Sequence, residues 1–111
     1  MMTEYFERNR KRFASFGIVN TLPGEIIDSF WLMIDRNLKG LIPLNSLLHF
    51  KLINHQGMLT IHYASLENNI ALSMDLPFIY EEGWATDVYA YDNGHQETIL
   101  LPAELPAGVK H

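Results

Sequence analysis

Four polar side chains in the middle of the chain have the types needed for metal binding or hydrolysis. His49 and His62 fall at corresponding positions of two alternating segments, and Ser73 and Asp75 lie in a third. Two imidazoles and a carboxylate are typical ligands of a divalent metal, and Ser, His and Asp also form nucleophilic triads. An enzyme that uses this His49/His62 face is therefore one hypothesis for the chain.

The motifs that usually accompany such chemistry are missing from the sequence. It contains no HExxH pair, no oxyanion loop and no glycine-rich phosphate-binding loop. A polar outer face is also what a sheet with one buried face requires. We therefore predict no catalytic residue, no metal site and no cofactor, and we rank a metal-dependent or hydrolytic enzyme behind two binding functions.

A second group of residues has the composition of a protein-binding surface. Acidic and aromatic side chains are interleaved there, and aromatic anchors beside charges are typical of binding hot spots. The group comprises Phe78, Tyr80, Glu81, Glu82, Trp84, Asp87, Tyr89 and Tyr91. Our leading hypothesis is a non-enzymatic adaptor or inhibitor-like module that binds an unknown protein partner. The other interpretation is an acidic, solubilising surface on a hairpin of ordinary strand formers.

A basic run near the N-terminus favours an alternative function, nucleic-acid binding. The run consists of Arg8, Arg10, Lys11 and Arg12. Residues 1–12 have a net charge of +2, whereas residues 13–111, with four basic and eleven acidic side chains, have −7. Because an acidic body repels a phosphate backbone, this accessory function would depend on the short arm. The arm could instead contact an acidic partner or lie across the acidic surface of its own domain.

The elements that position these residues begin with a helix predicted between Pro23 and Gly40. Apolar side chains recur there at the spacing of one helical face, and Pro23 suits the first helical position. The face consists of Ile27, Phe30, Trp31, Ile34 and Leu38. We assign it, with Met33, to the core and expect Trp31 to be buried. The aromatic segment Phe13–Val19 is predicted as a first strand, in which Gly17 marks a bulge or a close backbone approach.

Three segments after the helix alternate between apolar and polar residues, as strands with one buried face do. They are Leu48–Leu52, Leu59–Tyr63 and Ile70–Leu76. A four-residue loop over residues 54–57 would join the first two and place His49 opposite His62. The sequence thus predicts an antiparallel meander with its polar candidates on one face.

A closing hairpin completes the predicted domain. Thr86–Tyr91 and Gln96–Leu101 flank Asn93-Gly94, which is a strong hairpin signal. The stretch over residues 77–84 is predicted to be irregular. The fold class is therefore α+β, a single domain with a mainly antiparallel sheet of about five or six strands packed against one principal amphipathic helix.

Length and composition bound the organisation and location of the chain. Its 111 residues, 48% of them apolar, suit a flexible basic arm (1–12), one α+β domain (13–102) and a loose tail (103–111). The sequence has no cysteine, no signal peptide and no apolar run near the roughly 20 residues of a membrane span. We expect a cytoplasmic protein without a membrane partner, and an unpaired strand edge would allow a homodimer.

The sequence also resembles a known family. RFASFGIVNTLPGEIIDSFWLMID is similar to the opening signature of the small Gram-positive bacterial proteins grouped as DUF960. The matching residues are Arg12, Phe13, Gly17, Leu22, Pro23, Glu25, Trp31, Ile34 and Asp35. LNSLLHFKL and VYAYDNGHQETILLPAEL resemble the family's second and closing blocks. The resemblance implies a cytoplasmic bacterial protein without an assigned activity, encoded in some members on mobile cassette elements, and it assigns no catalytic residue.

Overall fold

The computed structural model describes residues 5–6 and 10–109 of the chain. Within these residues, six strands form one sheet on which two helices pack. The strands are β1 (Lys11–Ala14), β2 (Leu47–His55), β3 (Met58–Ser65), β4 (Ile70–Ile79), β5 (Asp87–Asp92) and β6 (Gln96–Leu100), and the helices are α1 (Phe16–Thr21) and α2 (Gly24–Met33). Along the sheet the order is β1-β6-β5-β2-β3-β4, with β1 and β6 parallel and the other pairs antiparallel. The predicted α+β class is confirmed.

The predicted principal helix is α2 with a π-helical extension. Pro23 occupies the N-cap position and the helix begins at Gly24, one residue later than predicted. The chain continues from α2 into the π-helical turn Ile34–Leu38, where the Lys39 amide donates to the Ile34 carbonyl oxygen at 3.0 Å. Gly40 then adopts a φ of +83°, a conformation that favours glycine and ends the helix.

The helical face that packs on the sheet differs slightly from the predicted stripe. The buried apolar side chains of α2 and its extension are Ile26, Phe30, Met33, Ile34 and Leu38. Ile27 and Trp31 are only half-buried, so the prediction of a buried Trp31 is wrong. The Arg12 guanidinium carbon lies 4.6 Å from the centre of the Trp31 ring, which therefore packs against a side chain from β1.

The predicted first strand is wrong in its second half, because α1 begins immediately after β1. Ser15 Oγ accepts a hydrogen bond from the Ile18 amide at 3.2 Å and caps the start of this short helix. Gly17 therefore lies in a helix and not at a strand bulge. Its amide donates to Glu104 Oε2 at 3.0 Å, and a Cβ at position 17 would lie only 2.8 Å from that oxygen.

The β2–β3 hairpin has a shorter turn than predicted. Gln56 and Gly57 both have positive φ values, 55° and 89°, as in a two-residue hairpin turn with left-handed residues. The pairing therefore shifts by two residues, and Lys51, not His49, lies opposite His62. A shift by an even number keeps every side chain on its predicted face, so the apolar pattern could not distinguish the two registers.

Strand β4 lies at one edge of the sheet and is longer than predicted. It extends to Ile79, through part of the stretch predicted to be irregular. Pro77 is tolerated because an edge strand can lack a backbone donor. The pairing with β3 is irregular here, since Met58 lies opposite Ile79 whereas Thr60 lies opposite Asp75.

The core lies between the helices and one face of the sheet. Phe30 of α2 meets Phe50 of β2 edge to face, with ring centres 5.4 Å apart. The closing hairpin is confirmed, and Gly94 has a φ of +95° in its loop. Alternate side chains of the strands point to the opposite face, away from this core.

The described residues near both ends of the chain contact the domain. The predicted boundary at residues 12 and 13 falls inside β1, and the Phe6 side chain is fully buried in the core. Near the other end, residues 102–104 form a short 3₁₀ turn that carries Glu104. No helix in the described part of the chain has the length and apolar character to cross a bilayer.

Candidate protein-interaction surface

The structure gives the two histidines of the predicted polar face separate partners. The His49 ring stacks on Tyr89, with centres 4.5 Å apart and planes 11° from parallel, and its Nε2 lies 2.8 Å from Asp87 Oδ1. The His62 Nδ1 lies 2.8 Å from Ser73 Oγ. Each imidazole is therefore already engaged with a neighbour on its own part of the sheet.

The carboxylates near these histidines are not shared between them. Thr60 Oγ1 donates to Asp75 Oδ1 at 2.6 Å. The pKa of Asp87 lies below its ordinary range, chiefly because of its hydrogen bond with His49 and further because of Lys51 and Thr86. Over residues 5–6 and 10–109, no three His, Cys, Asp or Glu side chains are grouped to hold a metal ion. His49, His62, Ser73 and Asp75 are thus not brought together as one site.

Arg12, from the basic run, is directed into its own domain. Its Nη1 and Nη2 donate to the two Asp35 carboxylate oxygens at 2.8 and 2.6 Å, and its Nε donates to Glu97 Oε1 at 2.9 Å. The hydrogen bonds with Asp35 raise the pKa of Arg12, and in turn they lower the pKa of Asp35. Strand β1 therefore brings a cation to the π-helical extension of α2 and to β6 at once.

Asp92 and Glu97 are buried at the same end of the sheet, opposite each other in the β5–β6 pair. Asp92 pairs with Arg10 and accepts a hydrogen bond from the Phe6 amide at 2.7 Å. Glu97 Oε2 is buried without a hydrogen-bond partner among the residues described. Burial raises the pKa of Glu97, and the Asp92 charge adds to this, although Arg12 opposes it. Together with Arg12 and Asp35, these residues form what we call the buried charge cluster: Arg10, Arg12, Asp35, Asp92 and Glu97.

The predicted nucleic-acid residues are thus largely occupied within the domain. Arg10 and Arg12 belong to the buried charge cluster, whereas Lys11 is exposed on β1. Arg8 lies outside the described residues. The observed contacts match the internal use of the basic run, and nothing in them favours nucleic-acid binding over it.

The structure divides the predicted acidic and aromatic surface between two faces. Phe78, Tyr80 and Trp84 are half-buried and pack against the core, where the Tyr80 and Trp84 rings meet at 5.6 Å. Tyr89 and Tyr91 alternate with the core residues of β5 and therefore point to the opposite face.

The acidic members of that predicted surface are also divided. Asp87 pairs with Lys51 and His49, whereas Glu81 and Glu82 are exposed. The eight predicted residues do not form one surface, and their placement leaves their role in binding a prediction.

An exposed apolar patch that the sequence interpretation missed lies near Glu81 and Glu82. Ile53, Met58 and Ile79 are 40%, 40% and 73% exposed. They come from three adjacent strands, and Met58 lies directly opposite Ile79. The signal was present in the sequence, because Ile53 and Ile79 fall at the polar positions of their alternating patterns.

Carboxylates border this patch. Asp75 lies on the same face of β4 as Ile79. The Tyr80 amide donates to the Gly57 carbonyl oxygen at 2.9 Å and holds the start of the Glu81-Glu82 segment beside the β2–β3 turn. We call the three apolar residues with these three carboxylates the hairpin-end surface: Ile53, Met58, Ile79, Asp75, Glu81 and Glu82.

Comparison with known proteins identifies a family. The chain matches the family described as "Staphylococcal protein of unknown function (DUF960)" over residues 11–104, and it belongs to that family. The crystal structure of a protein of unknown function from Enterococcus faecalis is similar to this chain, with 50% sequence identity and a TM-score of 0.89. The similarity covers 95% of this chain and 99% of that one. A search of curated proteins found no match. The predicted family is therefore confirmed, and the two comparisons describe proteins of bacteria without a known function.

Proposed function

We propose that the protein is a non-enzymatic, cytoplasmic protein-binding module that uses the hairpin-end surface. The observation that carries this proposal is the group of three exposed apolar side chains, Ile53, Met58 and Ile79, on adjacent strands. Exposed apolar side chains that are scattered singly need no explanation, whereas a contiguous group bordered by polar residues is typical of an interaction site.

The register places the three side chains on one face. Met58 and Thr60 are two residues apart on β3, so they share a face, and Ile53 lies opposite Thr60 on β2. Met58 and Ile79 are directly opposite each other on β3 and β4. This face points away from α2, so the helix that covers the core does not cover the patch.

The charge of the hairpin-end surface favours a partner with basic residues. None of Asp75, Glu81 and Glu82 forms an ion pair within the described part of the chain. Carboxylates beside an exposed apolar group accelerate encounter with a basic partner and disfavour an acidic one. The proposal keeps Glu81 and Glu82 from the originally predicted surface and adds the apolar centre that it lacked.

The direct test is capture of partners from a lysate of the bacterium that encodes the protein. Wild-type protein is compared with an Ile79→Ser/Met58→Ser variant, and the captured proteins are quantified by mass spectrometry with and without nuclease. The matched control is Leu66→Ser, because Leu66 is 99% exposed but lies in the β3–β4 turn, away from the surface. We expect a partner that both wild type and control retain and the double variant loses.

Two results would contradict the proposal. Equal capture by all three proteins would remove the patch from the interface, and a signal that disappears with nuclease would support the nucleic-acid alternative. Light scattering on the same three proteins shows whether the partner is a second copy, since a homodimer through this surface would dissociate only in the double variant.

A further inference from the structure

A small cavity opens beside the apolar patch of the hairpin-end surface. Its volume is about 250 Å³. The residues that line it are His55, Gln56, Met58, Thr60, Asp75 and Leu76. Pockets for drug-sized ligands have about 300–1,000 Å³, so this cavity is suited to a single side chain of a partner.

The irregular pairing of β3 and β4 accounts for the position of the cavity. From the Thr60–Asp75 pair to the Met58–Ile79 pair, β3 advances two residues while β4 advances four. The extra residues, with Pro77 among them, bend β4 away from regular pairing, as bulges at sheet edges do. Four of the lining residues belong to the two strands at this bulge.

Only one oxygen of the Asp75 carboxylate in the cavity accepts a hydrogen bond from the described residues. Asp75 Oδ1 accepts from Thr60 Oγ1 at 2.6 Å, and Thr60 is only 5% exposed, so the donor is fixed by its surroundings. No other hydrogen bond to Asp75 is formed by the residues that the structure describes. The second oxygen is therefore available to a donor from outside.

The charges of the described residues indicate what that donor is. Apart from Glu104, which is held by hydrogen bonds, the carboxylates outside ion pairs are Glu25, Asp28, Glu67, Asp75, Glu81 and Glu82. The cations outside ion pairs are only Lys11 and Arg36 over the same residues. Three of the six carboxylates belong to the hairpin-end surface, and the cavity lining contains no lysine or arginine.

We propose that the cavity binds a lysine or arginine side chain of the partner protein, next to an apolar residue that packs on Ile79. The aliphatic stem would lie against Met58, and the charged end would donate to Asp75. Long basic side chains combine these two modes, because their stems are apolar and their ends are charged. This inference rests on the proposed function and specifies the chemistry of its partner.

The probe for this inference is a set of capped tripeptides, Ac-Ile-Lys-Ile-NH₂ and its matched forms with Gln or Glu in place of Lys. Binding is followed by two-dimensional NMR of the labelled full-length protein, on the signals of Met58, Thr60 and Asp75. The test variant is Asp75→Asn, which keeps an acceptor for Thr60 and removes the charge. The control variant is Glu67→Gln, in the distant β3–β4 turn.

We expect the lysine peptide to shift these signals and to bind wild type and the Glu67→Gln variant equally. It should bind Asp75→Asn about tenfold more weakly, because a hydrogen bond to a charged group is lost. The Gln peptide should bind wild type about as weakly as the lysine peptide binds Asp75→Asn, and the Glu peptide should bind least.

Equal binding of the lysine peptide to wild type and Asp75→Asn would overturn the inference and leave the apolar patch as the interaction site. Absence of any shift with the lysine peptide would also overturn it. That result would not decide the proposed function, because the capture experiment with Ile79→Ser/Met58→Ser tests it separately.

Discussion

Charged residues of the same kinds have opposite environments at the two ends of the sheet. At the β1–β6 end, the buried charge cluster directs two arginines and three carboxylates toward each other. At the other end, the carboxylates of the hairpin-end surface are exposed, as are the apolar side chains of the same surface. A charge that is desolvated and paired contributes to the folded structure, whereas one left in solvent without a partner is available for binding.

The largest effect is expected at the buried end. Arg12→Ala removes the partner of Asp35 and leaves the fully buried Glu97 without its cation, and it also uncovers Trp31. Removing one partner of a buried ion pair costs about 3–5 kcal/mol, and we expect the free energy of unfolding to fall by about 3 kcal/mol. Urea unfolding followed by circular dichroism measures this value.

The control is the adjacent residue Lys11, which is exposed and forms no ion pair with the described residues. Lys11→Ala should change the free energy of unfolding by no more than about 0.5 kcal/mol. Equal free energies of unfolding for Arg12→Ala and Lys11→Ala would show that the buried charge cluster does not stabilise the fold.

Glu104, at the β1–β6 end, is a further carboxylate that accepts hydrogen bonds from its own domain. It accepts from Ser15 Oγ at 2.5 Å, from the Leu101 amide at 2.9 Å and from the Gly17 amide. Burial alone would raise the pKa of Glu104, but these hydrogen bonds outweigh it and lower the pKa.

Gly17→Ala should disturb this arrangement. The added Cβ would lie 2.8 Å from both Glu104 Oε2 and Leu101 Cδ1, so these side chains must move. We expect a loss of about 1–2 kcal/mol in urea unfolding, within the range for overpacked sites. Gly24→Ala is the matched control, since nothing lies within 4 Å of a Cβ there, and it should stabilise α2 by about 0.5 kcal/mol. Equal free energies of unfolding for Gly17→Ala and Gly24→Ala would show that the contact with Glu104 and Leu101 does not decide the effect at position 17.

Much of the fold could be predicted because its signals are local. The helical spacing from Phe30 to Leu38 and the Asn93-Gly94 turn lie within short stretches, and both were found. Helix α1 was missed although its cap is a local signal, because Ser15 lies only three residues before Ile18, whose amide it accepts from. The contacts of Ser15 and Gly17 with Glu104 join residues more than eighty positions apart, and no local pattern contains them.

The candidate site was predicted less well, for a physical reason. The pairing of Arg12 with Asp35 and Glu97 depends on which strands are neighbours, and β1 lies beside β6 at the far end of the chain. The two-residue register shift also preserved the alternating pattern while separating His49 from the position opposite His62. The interleaved aromatics were conspicuous in the sequence, whereas the patch at Ile53 and Ile79 left only two apolar residues at polar positions, and the register is needed to bring them together on one face.

A pH titration of Glu97→Gln separates the contribution of the buried Glu97 carboxyl, whose Oε2 has no hydrogen-bond partner among the described residues. Because burial raises the pKa of Glu97 above its unfolded value, the folded protein binds more protons between those two pKa values. The stabilising contribution of the protonated Glu97 carboxyl is therefore present at low pH and is lost as pH rises through the raised pKa. We expect Glu97→Gln to lack this decline. The measurement is the difference in the free energy of unfolding between variant and wild type, followed as pH rises from the ordinary glutamate pKa of about 4.3. A difference that does not change with pH would show that the Glu97 carboxyl titrates normally.

The smallest effects on stability are expected at the hairpin end, and they complete the contrast. Glu81→Gln/Glu82→Gln removes two exposed charges that form no ion pair with the described residues, so the free energy of unfolding should change by no more than about 0.5 kcal/mol. The same change should weaken capture of the basic partner and reduce the dependence of that capture on salt, because exposed charges act through a screened field. A matched variant, Glu25→Gln/Asp28→Gln, removes two exposed charges from α2 and should leave capture unchanged. If the α2 variant weakened capture equally, the net charge of the chain and not the hairpin-end surface would attract the partner.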